Sequence, residues 1–226
     1  MYKNSVFAVV LSVMVLGCNG VNQNATNPSN GTNAAQIDIN LTHAISDGNI
    51  TGYDASRNGT DDVYQNYLAV INYLRSLHIT CNDEAAISGP ASLDMAWNNH
   101  LEASAKEHSE DMKKSNWYDH DGSGTVNDLT AQELGLDRGS HFDERIEHNG
   151  FAGSLKAENI AISKDNHEMP SDYWLRVMEG WMASTHGHCS NIMHPHLTQF
   201  GMYESRAEPD SNGTYKIYWT QDFGSD

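Results

Sequence analysis

The stretch Glu179–Tyr203, EGWMASTHGHCSNIMHPHLTQFGMY, holds four of the chain's 12 histidines (His186, His188, His194 and His196) and one of its three cysteines, Cys189. Just upstream, Pro170 and Ser171 open a helix whose Trp174, Val177, Met178, Trp181 and Met182 share one face, so a core-packed helix leads into a histidine-dense segment. Imidazole changes charge near physiological pH and binds metals when neutral, which makes this run the first place to look for chemistry. The pairs His186/His188 and His194/His196 put both rings on one side only where the backbone is extended. Downstream, Gln199–Tyr203 and Tyr215–Gln221 flank the turn cluster Glu-Pro-Asp-Ser-Asn-Gly and predict a terminal pair of strands.

Upstream, Val63, Tyr67, Ile71 and Leu74 recur at spacings of 4, 4 and 3, an apolar stripe that predicts a helix from about Asp61. After Cys81 and the breaker Gly89-Pro90, a second helix is expected from Leu93 onward, with Trp97, Leu101, Ala105, His108 and Met112 on its stripe. On such a stripe His108 reads as a hydrogen-bonded core histidine. The apolar run Ile160–Ile162 suits a buried strand. Helices first, then strand, helix and strand pair, give an α+β class.

Several segments together carry a resemblance. Trp181-x-x-Ser184, Gly187-His188-Cys189-x-Asn191-Ile192-Met193-x-Pro195, the helix LDMAWNNHLEASAKEHSEDM, Asn72-x-x-Arg75, Ala157-Glu158-Asn159-Ile160-Ala161 and Tyr218-Trp219-Thr220-Gln221-Asp222-Phe223-Gly224 are similar to the signatures of bacterial SCP-like proteins of the CAP superfamily. That group includes cysteine-rich secretory and plant pathogenesis-related proteins. The resemblance runs from about Asp61 to the C-terminus and implies an α/β/α sandwich with a small mixed sheet between helical layers. It also implies a cleft of two histidines and two acids, which map to His120, His188 and Glu158. The fourth group, expected three residues after Trp181, is Ser184 here. Glu179 is near in sequence but need not face the same way.

Composition bounds what such a domain can meet. The chain has 226 residues, 38% of them hydrophobic, enough for one domain with a core plus a tail. Its formal charge of −17 repels phosphate backbones, so nucleic-acid binding is set aside. Residues 1–17 carry Lys3 and the apolar run Val6–Leu16, too short for a stable span, and read as an export signal. Val15-Leu16-Gly17-Cys18 resembles a bacterial lipobox, so Cys18 is expected to carry lipid and hold the protein on a membrane, at the outer membrane or cell surface of a bacterium. Residues 18–60, rich in Asn and Thr, are expected to be a flexible tether, with residues 61–226 forming the domain. The tether holds Asn-x-Thr triplets at Asn24, Asn30, Asn40, Asn49 and Asn58, with a sixth at Asn212; Asn40, Asn49 and Asn212, with Asp two residues upstream, resemble a bacterial glycosylation acceptor, but an Asn/Thr-rich composition is the favoured reading.

Three cysteines in an exported chain leave one over; lipidation of Cys18 leaves Cys81 and Cys189 to form a disulfide. Asp119, Asp121, Ser123, Gly124, Val126 and Asn127 occupy positions of a calcium loop, but position twelve is Thr130 where a bidentate Glu is required, so a solvated loop is the expectation. Two function classes remain. One is a binding module whose cleft takes a small apolar or envelope ligand. The other is a metal-assisted hydrolase, peptidase- or esterase-like, in which His120, His188 and Glu158 hold a divalent cation such as zinc. Ser184 and Ser190 lack the Gly-x-Ser-x-Gly elbow of a serine nucleophile, and the binding module is the favoured reading.

Overall fold

The computed structural model describes residues 39–82 and 94–226. The export signal, Cys18, the Asn24 and Asn30 triplets and Gly89-Pro90 lie outside them. Among the described residues no helix is long and apolar enough to cross a membrane.

Four strands form one mixed sheet in the order β1 (Ala96–Trp97), β3 (Gln199–Ala207), β4 (Tyr215–Ser225), β2 (Leu155–Asp165). The pair expected from the turn cluster is β3 and β4, antiparallel from Gln199↔Gly224 to Ala207↔Lys216. The buried run at Ile160 belongs to the eleven-residue β2, antiparallel to β4 over its whole length, and β1 adds a short parallel edge against Gln199 and Phe200. Helical layers cover both faces, the sandwich that the resemblance implied.

On one face lie α1 (Leu41–Ser46), α2 (Val63–Ser76), α6 (Trp174–Met182) and α7 (His188–Met193). Their buried side chains join Phe200, Met202, Trp219 and Phe223 of the sheet in one apolar core. The α2 stripe is as the spacing predicted, with Tyr67, Ile71 and Leu74 buried. Arg75 from the same helix is buried too, and its guanidinium donates to the carbonyls of Ile192, His194 and Leu197, pinning the chain that follows α7. Asn72 reads the backbone of Met95 through both its N–H and its C=O, steering the chain into β1.

On the other face α3 (Asn99–Ser115) packs against β3 and β4, α5 (Phe142–His148) against β2 and α3, and α4 (Leu129–Leu134) against α5. Two expectations need correction. The second helix begins at Asn99, not near Leu93, because Asn98 caps it by accepting from the N–H groups of His100 and Leu101; Trp97 is in β1, its ring edge-on to Phe200 at 5.2 Å. The fold also starts well before Asp61. Leu41 is fully buried, its N–H donates to Glu179 Oε1 at 2.7 Å, and Asn58 Oδ1 receives the Trp174 indole N–H. Residues 39–60 therefore belong to the domain and shorten the expected tether at its C-terminal end; a few apolar anchors and side-chain caps suffice where composition alone reads as linker.

Cys81 and Cys189 are bridged, with Cα atoms 5.7 Å apart and 108 positions between them in sequence. The bond fastens the segment after α2 to α7. Closing so long a loop stabilises the fold by roughly 4 kcal/mol in the chain-entropy model.

Candidate functional site

The site is assembled from five separate elements. Glu158 sits mid-strand in β2 and its side chain is 1% exposed. One carboxylate oxygen, Oε1, lies 2.8 Å from His120 Nδ1, on the loop between α3 and α4; the other, Oε2, accepts from Arg145 Nη2 of α5 at 2.8 Å. The same Arg145 nitrogen donates to the His120 carbonyl at 2.7 Å, while Nη1 holds the Ser140 carbonyl. Arg145 thus fixes both the carboxylate and the backbone of the residue that the carboxylate orients. Burial alone would raise the Glu158 pKa, but the Arg145 charge and the other cationic and hydrogen-bonding neighbours outweigh it and hold the group well below the usual carboxylate range.

His188 opens α7 and is 3% exposed. Gly187, at φ 90°, turns the chain into the helix in a conformation open chiefly to glycine. His188 Nδ1 lies 3.1 Å from Ser184 Oγ, which also accepts the N–H of His186, so the serine standing where an acid was expected orients the ring in its place. Burial first, then the charges of His120 and His186, push the His188 pKa down to about 4, and the ring is neutral at physiological pH. Its Nε2 has no hydrogen-bond partner among the described residues. Trp181 closes the neighbourhood with its indole N–H on the Ile160 carbonyl at 3.1 Å. Asn159 and Asn191 tie β2 to α7: the Asn159 amide donates to the His188 carbonyl and the Asn191 amide to Asn159 Oδ1. His120 thus meets Glu158 directly, while His188 is tied through its own carbonyl to the next residue of the strand, Asn159. Glu179 is elsewhere, bonded to Leu41.

Behind Glu158 lies a group that sequence reading missed. Asp222 is its direct cross-strand partner in β4 and fully buried, with Ser104 and Glu158 as its polar neighbours but, among the described residues, no hydrogen bond of good geometry to either oxygen. Among the same residues His108 Nδ1 and Arg145 Nε are buried without a partner as well. Burial, then the adjacent Glu158 charge, raise the Asp222 pKa well above the ordinary carboxyl value. The signal was present in the sequence: an acid inside the strand Trp219–Phe223. His108 is a core histidine, as its stripe position predicted, with Nε2 2.9 Å from the Asp119 carbonyl, and burial drives its pKa to about 3.

Neither metal reading fits these contacts. Both Glu158 oxygens are engaged, one by a guanidinium whose charge would oppose a cation, so the set His120, Glu158, His188 loses its carboxylate and falls to two imidazoles, one short of a catalytic zinc site. In the calcium-like loop, Asp121 turns to His141 Nδ1 at 2.7 Å, Ser123 donates to Asp111, and Asn127 to Ser115. Thr130 is buried, its N–H on Glu107. Among the described residues no three His, Cys, Asp or Glu side chains are grouped to hold a metal ion.

The family model described as "CAP: Cysteine-rich secretory protein family" matches residues 68–223. A search of curated proteins gives no match. Similar solved structures include an extracellular protein containing a SCP domain from Bacillus anthracis, 23% identical with a TM-score of 0.45, covering 72% of this chain and 40% of that one. An outer surface protein from Borrelia burgdorferi is 17% identical with a TM-score of 0.47, covering 73% of this chain and 93% of that one. The chain thus spans less than half the length of the Bacillus protein. The family match, extending from α2 to the end of β4 and taking in His120, Glu158 and His188, places the chain in the cysteine-rich secretory protein (CAP) family.

Proposed function

We propose that this protein is an exported, lipid-anchored CAP module that binds a small apolar or envelope-derived ligand at the His120/Glu158/His188 cleft. The observation that carries this reading is the double commitment of Glu158. A carboxylate clamped by Arg145, bonded to His120 and held well below the usual carboxylate pKa is a weak base and a positioning group. What the cleft offers a ligand is the neutral His188 ring, set by Ser184 on a helix whose Cys189, Ile192 and Met193 belong to the apolar core. A neutral imidazole next to apolar side chains suits a molecule with one hydrogen-bonding head and an apolar body. Export is supported by the disulfide, which belongs to oxidising compartments, and by the apolar run ending in Cys18.

Two measurements test the reading. Titration of the full chain with decanoate and with dihexanoylphosphatidylcholine is expected to shift the imidazole NMR signals of His120 and His188, and His188→Ala to weaken that binding by about tenfold. Binding untouched by His188→Ala, or peptide or ester hydrolysis that appears on adding zinc, would overturn it. For the anchor, Cys18→Ser is expected to move the protein from the membrane fraction to the soluble fraction; unchanged fractionation would remove the lipid.

A further inference from the structure

A cavity of about 400 Å³ opens away from the histidines, where the N-terminal part of α2 meets α3 and the middle of β3. β1 pairs only with Gln199 and Phe200, so the cavity lies along the length of β3 that β1 does not reach. Its walls include three tyrosines, Tyr64, Tyr67 and Tyr203. Tyr67 is decisive. The residue is 3% exposed and its ring is wedged edge-on to Trp174 at 4.8 Å and against Trp97 at 6.3 Å. Packing therefore fixes the ring, and of the groups that act on its hydroxyl Glu204, Glu102 and the Tyr203 phenol are cavity walls, while Arg206, bonded to Glu204, opposes them from outside the lining. That hydroxyl has no hydrogen-bond partner among the described residues. A buried tyrosine ordinarily finds one.

The charge around the cavity is one-sided. Asp61, Glu102 and Glu204 line it against a single cation, Lys106. Glu204 Oε1 accepts from Arg206 Nε at 2.7 Å, but Oε2 is buried with no donor among the described residues. Lys106 itself stands over the Tyr203 ring at 5.3 Å, so a cation already rests on an aromatic wall of this cavity. The whole chain, at −17, adds an attractive field for positive solutes.

We infer that this cavity is a binding site for a small organic ammonium ion with an apolar body, whose N–H groups meet the Tyr67 hydroxyl and whose charge is held by the tyrosine rings and the carboxylates. The site is separate from the histidine cleft and does not rest on the function proposed for it. Lys106, a competing cation on a long flexible stem, is displaced or tolerated.

The test uses three probes of one shape on the full chain: 2-phenylethylammonium, 2-phenylethanol and phenylacetate, followed by NMR of the tyrosine rings and the Lys106 side chain. The ammonium probe is expected to saturate with a dissociation constant near or below about 1 mM, and the alcohol and the acid to bind at least about tenfold more weakly. Tyr67→Phe, which keeps the packed ring, is expected to weaken the ammonium by about tenfold, and Lys106→Gln to strengthen it by about threefold. His188→Ala is expected to leave it unchanged. Equal binding of the alcohol would reduce the cavity to an apolar groove, preference for phenylacetate would hand it to Lys106, and absence of shifts at Tyr67 and Tyr203 would remove the site; each result overturns the inference.

Discussion

The two faces of the sheet are built on opposite principles. On the α1/α2/α6/α7 face one continuous apolar core runs from Leu41 through Trp174 and Trp219 to Phe223. On the α3/α5 face the apolar contacts split into two small clusters, Leu101 with Ile146 and Phe151, and Met112 with Ile160 and Tyr218. Between them lie Ser104, His108, Arg145, Glu158 and Asp222, all buried. Alternation along β2 and β4 explains how one sheet does both: Asn159, Ala161, Trp219, Gln221 and Phe223 point one way, Glu158, Ile160, Thr220 and Asp222 the other. The first face supplies stability that the second gives up. Desolvating a guanidinium and two carboxyls costs several kcal/mol per ion before their attraction returns any of it, so the polar face reads as machinery rather than mortar.

The largest effect that separates the faces is expected at Glu158. Glu158→Gln strips Arg145 of its counter-charge in a dry interior and is expected to destabilise the fold by about 3–5 kcal/mol, comparable with truncating a core tryptophan on the other face. Arg145→Met combined with Glu158→Leu is expected to recover most of that loss, while His120 loses its orienting partner. Urea unfolding of the three variants decides it. A double variant as unstable as Glu158→Gln would mean that the ion pair holds the fold together, and the contrast between faces would fail.

The same contrast decides what could be read in advance. The apolar face was legible because periodicity reports burial: the α2 stripe, the core face of α6 and the strand pair all appear as spacings, and the disulfide followed from counting cysteines. Even there Trp97 misled, since a strand residue next to a helix cap can fall on the helical period, and the anchors at Leu41 and Asn58 were invisible within a polar composition. The polar face was legible only as His120 and Glu158, borrowed from a resemblance, and His108, read from its stripe. Glu158 and His120 lie 38 positions apart and Glu158 and Arg145 13, on a strand, a loop and a helix, and no local pattern encodes their convergence. That Ser184 would do the orienting work of an acid, and that Arg145 would occupy the carboxylate meant for a metal, are facts of three-dimensional distance.

Asp222 gives the smaller and finer test. Its folded-state pKa is raised, by burial and by Glu158 beside it, above that of the unfolded chain. Below about pH 4 both states hold the proton and the group is neutral in its effect. As pH rises past that point the unfolded chain ionises while the folded one retains its proton, so stability falls toward neutral pH. Replacing the acid by an amide of the same shape removes this dependence. Asp222→Asn is therefore expected to raise Tm at pH 7, by about 2–4 °C for each kcal/mol recovered in a domain of this size, with the gain shrinking to nothing near pH 4. The carboxyl carbon of isotope-labelled Asp222 is expected to lose its proton at a higher pH than an ordinary aspartate does. A gain that is the same at both pH values, or an ordinary aspartate titration, would mean that the interior between α3 and the sheet accommodates two negative charges, and the division between a stabilising face and a working one would have to be redrawn around Arg145 alone.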